Sequence, residues 1–174
     1  PSVKYLRHSG GLFNDMTIHD FDMVRFLSDD TVVKVYAEGR NLIDPKIGKL
    51  GDIDTAVITI SLKSGAVAVI DNSRQSAYGY DQRIEVFGLR GSIAAENECL
   101  NTTVLMTDKG VRTEKPLYFF LERYQNSYRR EMQEFFKKIQ KKTHPTVWLK
   151  DVKRALLMAQ AAGRSLRSGK PVVM

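Results

Sequence analysis

Residues 9–28 read SGGLFNDMTIHDFDMVRFLS and predict the first helix of this chain. Two glycines, Gly10 and Gly11, lie just ahead of it. When the helix is drawn at about 100° per residue, one broad arc collects most of its large apolar side chains. These are Leu12, Phe13, Met16, Met23, Val24, Phe26 and Leu27. Ile18 and Phe21 lie on the opposite side, so the pattern predicts a helix covered on both faces, by its own sheet and by something else.

The same apolar arc contains two polar residues, His19 and Asp20, and Asp15 lies at its edge. The i, i+4 spacing of Asp15 and His19 brings a carboxylate next to an imidazole. Such a carboxylate can orient the ring and stabilise its charged form, which leaves the second ring nitrogen free to accept a proton. A purely structural polar pair at a helix start is the alternative. Two ligands are too few for a metal ion, and no Cys/His cluster accompanies them, so no metal is predicted.

Composition and charge narrow the class of protein. The chain has 174 residues, enough for one domain with a real core, here 1–174, and a formal net charge of +7. The basic residues lie largely between positions 137 and 170, interleaved with apolar residues at helical spacing, which favours a solvated helix face over nucleic-acid binding. An anionic substrate or a dinucleotide remains possible.

Cellular location is indicated by what the sequence lacks. No run approaches the roughly 18–20 apolar residues of a membrane span. No signal peptide is visible, and the single Cys99 excludes an internal disulfide, which fits a reducing cytoplasm. The chain begins at Pro1, which suggests a fragment whose upstream part was removed, although methionine processing would look similar.

The pattern along the chain predicts an α+β fold. Residues 2–7 read as a short strand or extended lead-in, and residues 40–53 as a loop that could shape substrate choice. Strands are predicted at 31–39, 55–62, 66–72, 84–87, 92–96, 102–107 and 111–114, with a possible edge strand at 171–174. Apolar stripes at 121–139 and 152–166 predict two further helices. Short turns between strands imply an open, mostly antiparallel sheet with helices on one face, and self-association is the usual cover for the other face.

Several nucleotide and nucleophile motifs do not occur. There is no G-x-G-x-x-G after a strand and no alternating βαβ pattern, so the chain is predicted to hold no dinucleotide site of its own. There is no P-loop and no G-x-S-x-G elbow.

Three stretches carry a resemblance to a known family. Residues 9–23, residues 78–88 (YGYDQRIEVFG), and the helix 152–166 followed by Gly169-Lys170-Pro171-Val172 resemble the C-terminal domain of the Gfo/Idh/MocA oxidoreductases. Within that family the bacterial inositol 2-dehydrogenases are the most similar. The resemblance covers essentially the whole chain, and residues 40–53 are where it is weakest.

The resemblance implies an architecture and a chemistry. In this family an N-terminal Rossmann domain binds NAD(P), and the C-terminal domain supplies the substrate side and, through its open sheet, the interface of a dimer or tetramer. The missing Rossmann domain would cover Ile18 and Phe21. It would also supply a lysine that works with Asp15 and His19 on a polyol such as myo-inositol. His19 would be the base for the hydroxyl proton, and Asp15 would orient it.

The matched segments also imply secondary roles. Tyr78, and less strongly Tyr80, would hydrogen-bond the polyol, the alternative for Tyr78 being a packed hinge tyrosine. Asp20 and Asp22 are interpreted as structural, for example by pairing with Arg25. This fragment alone is expected to be inactive. Dehydrogenation of another sugar, or a non-catalytic oligomerisation or sugar-sensing module, is the alternative function.

Overall fold

A computed structural model describes residues 2–174 and divides them into two compact units. The first unit comprises residues 2–75 and 147–174, and the second comprises residues 76–146. Asp15 and His19 belong to the first unit, whereas Tyr78 and Tyr80 belong to the second.

The described residues form seven helices and eight strands. The helices are α1 (Val3–Leu6), α2 (Leu12–Asp15), α3 (Thr17–Ser28), α4 (Pro45–Gly48), α5 (Phe120–Arg123), α6 (Gln125–Lys141) and α7 (Leu149–Ser168). The strands are β1 (Val32–Arg40), β2 (Thr55–Leu62), β3 (Val67–Ser73), β4 (Ile84–Gly88), β5 (Gly91–Ala95), β6 (Val104–Thr107), β7 (Gly110–Thr113) and β8 (Val172–Val173). None of the helices within residues 2–174 has the length and apolarity needed to cross a membrane.

The first unit is built on a four-stranded antiparallel sheet with the order β3-β2-β1-β8. Helices α3 and α7 pack on one face of this sheet, and the outer face exposes Val57, Val67 and Val69. The short β8 lies at the edge next to β1, as predicted for residues 171–174. The predicted fold class, an open and mostly antiparallel sheet with helices on one face, is therefore confirmed.

The core lies between that sheet and the two helices. Val35, Ile58 and Ile60 point inward from the strands and meet Phe21 of α3 and Met158 of α7, all of them fully buried. The inner stripe of α7 otherwise consists of four alanines and Ser165, and these small side chains let the helix approach the sheet closely. This packing fixes the position of α3, and with it that of His19.

The first predicted helix is broken in two. Met16 separates α2 from α3 with φ −113° and ψ −62°, so the two segments do not share one helical phase. The prediction that another domain covers Phe21 is wrong, because Phe21 is fully buried in this chain's own core, and Ile18 packs partly against that core. Conversely, Phe26 and Leu27, which a continuous helix would turn inward, are 78% and 42% exposed.

Two other local predictions are also corrected. Residues 2–7 do not form a strand, because Ser2 accepts the Tyr5 backbone N–H and starts the helix α1. The predicted loop 40–53 contains a short helix, α4, with Asp44 as its N-cap and Pro45 at its first position.

The second unit contains two antiparallel hairpins, β4–β5 and β6–β7, followed by α5 and α6. All four strands lie within one or two residues of their predicted bounds, but they pair as two separate hairpins rather than as part of the four-stranded sheet. The apolar stripe of α6 is exposed. It consists of Tyr128, Met132, Phe135, Phe136 and Ile139.

Candidate active site

Asp15 is the last residue of α2, and two side chains hold its carboxylate. Arg74 Nη1 lies 2.8 Å from Asp15 Oδ2, and the Tyr5 hydroxyl donates a hydrogen bond to Oδ1. The pair is largely enclosed, with 3% of the Arg74 side chain and 12% of the Asp15 side chain exposed. The hydrogen bond to the Asp15 carboxylate raises the pKa of Tyr5, so Tyr5 keeps its proton and acts as a donor. Asp15 is thus presented as an oriented acceptor.

His19 lies in the first turns of α3 with its side chain exposed. Within the described part of the chain, no hydrogen bond joins His19 to Asp15, and the two carboxylate oxygens accept from Tyr5 and Arg74 instead. The break at Met16 contributes, since the His19 N–H bonds the Met16 carbonyl at 3.1 Å and a new helix begins there. The predicted pair therefore shares a helix junction without the predicted direct bond.

Asp52 is a site residue that sequence reasoning missed, together with Arg74. Arg74 Nη2 lies 3.2 Å from Asp52 Oδ2, so the guanidinium bridges Asp52 and Asp15. Asp52 Oδ1 also accepts the backbone N–H of Leu12 at 3.0 Å, at the start of α2. One cation between two carboxylates leaves a net negative charge beside the helix that carries His19. The only signal in the sequence is an arginine directly after an apolar strand, since its partners are 22 and 59 residues away.

The loop that ends at Asp52 is anchored by a second carboxylate, Asp54, which is fully buried. It accepts hydrogen bonds from the Asn41 amide at 2.6 Å and from the Thr55 hydroxyl at 3.0 Å. The backbone N–H groups of residues 42–44 donate to it at 2.9–3.0 Å. Burial alone would raise the pKa of Asp54, but these hydrogen bonds outweigh it and lower the pKa to about 2. Asp54 is therefore an ionised structural anchor.

Asp22 makes the ion pair with Arg25 that the sequence suggested, whereas Asp20 has a different partner, Asn72. Asp22 pairs with Arg25 at 3.5 Å, and Arg25 also reaches Asp151 at 3.3 Å, which ties α3 to the start of α7. Asp20 accepts a hydrogen bond from the Asn72 amide of β3 at 3.0 Å, and burial raises the pKa of Asp20.

Tyr78 in the second unit is engaged by its own neighbours. Its hydroxyl donates to Asp81, which also binds Arg83 through Nε at 2.8 Å and the Asn97 amide at 2.6 Å. Hydrogen bonds from Arg83 chiefly, with those from Tyr78 and Asn97, lower the pKa of Asp81 to about 2. The Tyr78 hydroxyl is thus committed as a hydrogen-bond donor to an ionised carboxylate within the chain.

Tyr80 is partly buried, and its hydroxyl has no hydrogen-bond partner among residues 2–174. Its ring packs edge-on against Tyr124, with the centroids 5.7 Å apart, and its backbone N–H donates to the Leu117 carbonyl at 2.8 Å. Gly79 makes this possible, because its φ of +143° suits glycine and a Cβ there would lie 2.7 Å from the Pro116 carbonyl oxygen. The ring is therefore fixed while its hydroxyl remains available.

Within residues 2–174, no three His, Cys, Asp or Glu side chains converge as a metal-ligand group. The two glycines before α2 precede a helix of only four residues whose first N–H is already taken by Asp52. The first N–H of α2 is therefore not free to bind a phosphate.

The chain is similar in sequence and in fold to inositol dehydrogenases. The chain is 51% identical over 172 residues to the myo-inositol 2-dehydrogenase of Thermotoga maritima, covering 99% of this chain and 52% of that protein. The crystal structure of a myo-inositol dehydrogenase from Corynebacterium glutamicum superposes with a TM-score of 0.94 at 35% identity, covering 100% of this chain and 52% of that one. A scyllo-inositol dehydrogenase from Lactobacillus casei, solved with NAD(H) and scyllo-inositol bound, superposes with a TM-score of 0.89 at 27% identity. It covers 98% of this chain and 51% of that one.

The chain spans about half the length of the curated relatives it matches. The family model for the GFO/IDH/MocA C-terminal domain matches residues 2–94, which include α2, α3, Arg74 and the Tyr78–Tyr80 segment. The chain therefore belongs to the GFO/IDH/MocA family and carries its C-terminal domain.

Proposed function

We propose that this chain is the substrate half of an NAD-dependent dehydrogenase that oxidises a secondary hydroxyl of myo-inositol, or of a related cyclitol, to a ketone. The observation that carries the proposal is the oriented Asp15 carboxylate at the helix junction that presents the exposed His19. The relatives named myo-inositol 2-dehydrogenase and scyllo-inositol dehydrogenase support the substrate class.

His19 is the base in this proposal and accepts the hydroxyl proton as the C–H bond breaks. The cluster formed by Asp15, Arg74 and Asp52 carries a net negative charge and lies at the junction of α2 with the helix that carries His19. Both oxygens of Asp15 accept hydrogen bonds, from Tyr5 and from Arg74, and these hold the carboxylate in place. Asp15 acts here through charge and position.

Tyr80 is favoured over Tyr78 as the tyrosine that orients the polyol. A hydroxyl without a partner can donate to and accept from a substrate hydroxyl, whereas that of Tyr78 is committed to Asp81. In this proposal Tyr78 stabilises the conformation of its own segment and does not bind the substrate.

NAD, when bound, takes the hydride, and the part of the protein that holds it lies outside this chain. The family's lysine would come from the same part. The complete protein is proposed to work as a dimer or tetramer joined through the outer face of the sheet. The free Cys99 is compatible with the reducing cytoplasm as its location.

The test is NADH formation by the complete protein offered myo-inositol, scyllo-inositol and glucose. The variant His19→Asn should lose ~10²–10⁴-fold in kcat, as expected for loss of a general base. His8→Asn is the matched control, because His8 is exposed and its Nδ1 bonds only the local Lys4 carbonyl at 2.9 Å. Turnover on glucose alone would move the substrate to another sugar. Unchanged activity in His19→Asn would contradict the assignment and favour a non-catalytic module.

A further inference from the structure

We propose that Arg74 and Asp52 are positioning residues for Asp15, and that the loop 41–53 is the rigid frame that fixes them. The inference rests on the proposed function, because it concerns how Asp15 is held for that reaction. It gives that loop a role in the geometry of the reaction, beyond any effect on substrate choice.

The contact geometry is the first step. Arg74 uses its two terminal nitrogens on two different aspartates, Asp15 at 2.8 Å and Asp52 at 3.2 Å. Its Nε is buried and has no partner in the described chain. A planar guanidinium that spans two carboxylates fixes their separation, which a flexible lysine ammonium does not do. Arg74 thus directs its two terminal nitrogens to the aspartates, whereas its Nε makes no hydrogen bond within residues 2–174.

The frame behind Arg74 is the second step. The Arg74 backbone N–H donates to the Asp54 carbonyl at 2.9 Å, and the Asp54 carboxylate is held by residues 41–44 and Thr55. Two residues before Asp54, Asp52 accepts the Leu12 N–H at the start of α2. Arg74 and Asp52 are thus both held by this loop. The helix α2, which ends at Asp15, is held by it as well, through the hydrogen bond from the Leu12 N–H to Asp52.

Gly11 marks how closely the loop and α2 approach each other. Its φ is +85°, and a Cβ there would lie 3.0 Å from Asp52 Oδ1. The contact between Asp52 and the start of α2 leaves little room for adjustment. A displacement of Asp52 would therefore move Asp15 as well, through both α2 and Arg74.

The charged and titratable groups around this bridge are few. Tyr5 faces Asp15 from α1, Arg74 faces it from the end of β3, and Asp52 faces Arg74 from the loop. Removing the guanidinium leaves two carboxylates without the cation between them. One of them then takes up a proton at a higher pH than in the wild type. A role in positioning therefore predicts a change in pH profile as well as in rate.

The experiment compares kcat, KM and their pH profiles for the complete protein and the variants Arg74→Gln, Arg74→Lys, Asp52→Asn and the double variant Arg74→Gln/Asp52→Asn. We expect Arg74→Gln to lose ~10- to 100-fold in kcat with a smaller change in KM for the polyol, because the misplaced group acts on the reacting atoms. Its acidic limb should move to higher pH. Arg74→Lys should recover part of kcat, and the double variant should return the acidic limb towards the wild-type position because one carboxylate is gone.

Arg25→Gln is the matched control. Arg25 is also a largely buried arginine between two aspartates, Asp22 and Asp151, but it does not contact Asp15. It should lose thermal stability to a degree similar to Arg74→Gln while keeping its kcat and pH profile.

The outcomes are separable. An active wild type in which Arg74→Gln behaves as Arg25→Gln does, with lowered Tm but unchanged kcat and pH profile, overturns this inference and leaves the proposed function standing. A complete protein that oxidises no polyol overturns both. An inactive His19→Asn together with the predicted Arg74 series supports both.

Discussion

Neutral groups alone hold the buried carboxylate of Asp54. The Asn41 amide, the Thr55 hydroxyl and the backbone N–H groups of residues 42–44 all donate to it. A buried carboxylate that is held by neutral donors stays ionised and stable only while these hydrogen bonds are made. The residue therefore determines the path of the loop that leads to Asp52.

Asp54→Asn should lower the free energy of unfolding by about 2–4 kcal/mol, because the new amide N–H would face backbone donors and leave them unpaired. Asp44→Asn is the matched control. Asp44 caps α4 through its side chain, and asparagine caps a helix about equally well. Equal thermal stability of the two variants would contradict this role for Asp54.

The same residue predicts a pH dependence. The pKa of Asp54 is about 2 in the folded protein, below the value of about 3.9 in an unfolded chain. The folded state therefore binds this proton less readily, so the stabilisation is complete above pH ~4 and is lost as the pH falls towards 2. Unfolding followed between pH 2 and 5 should show a shallower slope for Asp54→Asn than for the wild type. Equal slopes of stability against pH in the two proteins would argue against this role of Asp54.

The tyrosines give a second residue-scale prediction. Tyr80→Phe should raise KM for the polyol up to about tenfold, the equivalent of one hydrogen bond, with little change in Tm. Tyr78→Phe should leave KM nearly unchanged and lower Tm, because it removes a donor from the Asp81 network. Steady-state kinetics and thermal unfolding of both variants test this, and the reverse pattern would assign the substrate contact to Tyr78.

Single residues show where prediction from sequence stops. His19 and Asp15 were found because they are close in sequence and carry recognisable chemistry. Arg74 and Asp52 were not, because their contacts depend on strand β3 returning beside α2, which no local pattern encodes.

The boundaries of helices and strands were likewise predicted only where a local sequence signal marks them. Strands were predicted well because alternation and turn residues are local signals, as in β2 at Thr55–Leu62. The break at Met16 was not predicted, because the sequence from Leu12 to Ser28 contains no proline or glycine that would interrupt a helix. The core decides it by burying Phe21 and Thr17 of α3 together with Leu12 and Phe13 of α2.

Gly79 gives the element-scale prediction. In Gly79→Ala the Cβ would lie 2.7 Å from the Pro116 carbonyl oxygen, so the segment must shift and the Tyr80–Leu117 hydrogen bond is strained or lost. KM for the polyol should rise and Tm should fall.

Gly91→Ala separates this clash from backbone strain. Gly91 has almost the same φ, +144° against +143°, but nothing lies within 4 Å of an added Cβ. It should lower Tm through strain alone and leave KM unchanged. A similar rise in KM in both variants would remove the link between Gly79 and Tyr80.

At the scale of the whole molecule, the sequence predicted one open sheet, and the chain instead forms a four-stranded sheet and two hairpins. Local alternation indicates that a strand exists, but not which partner it takes when its neighbour in sequence is a hairpin. The valines of the outer face of the sheet are exposed, and that further copies of the chain cover them stays a prediction.

That outer face carries the last prediction. Tyr36, Thr59 and Val69 lie opposite one another across β1, β2 and β3, and Val69 is 66% exposed. A charge placed at Val69, the β3 end of this row, would be buried without a partner in any assembly that uses the face. In the complete protein, Val69→Glu should therefore shift the sedimentation coefficient to a smaller species. Phe26→Glu is the control, because Phe26 is 78% exposed but lies on α3, away from this face. If Val69→Glu sediments as the wild type does while Phe26→Glu dissociates, the helical side and not the sheet joins the copies.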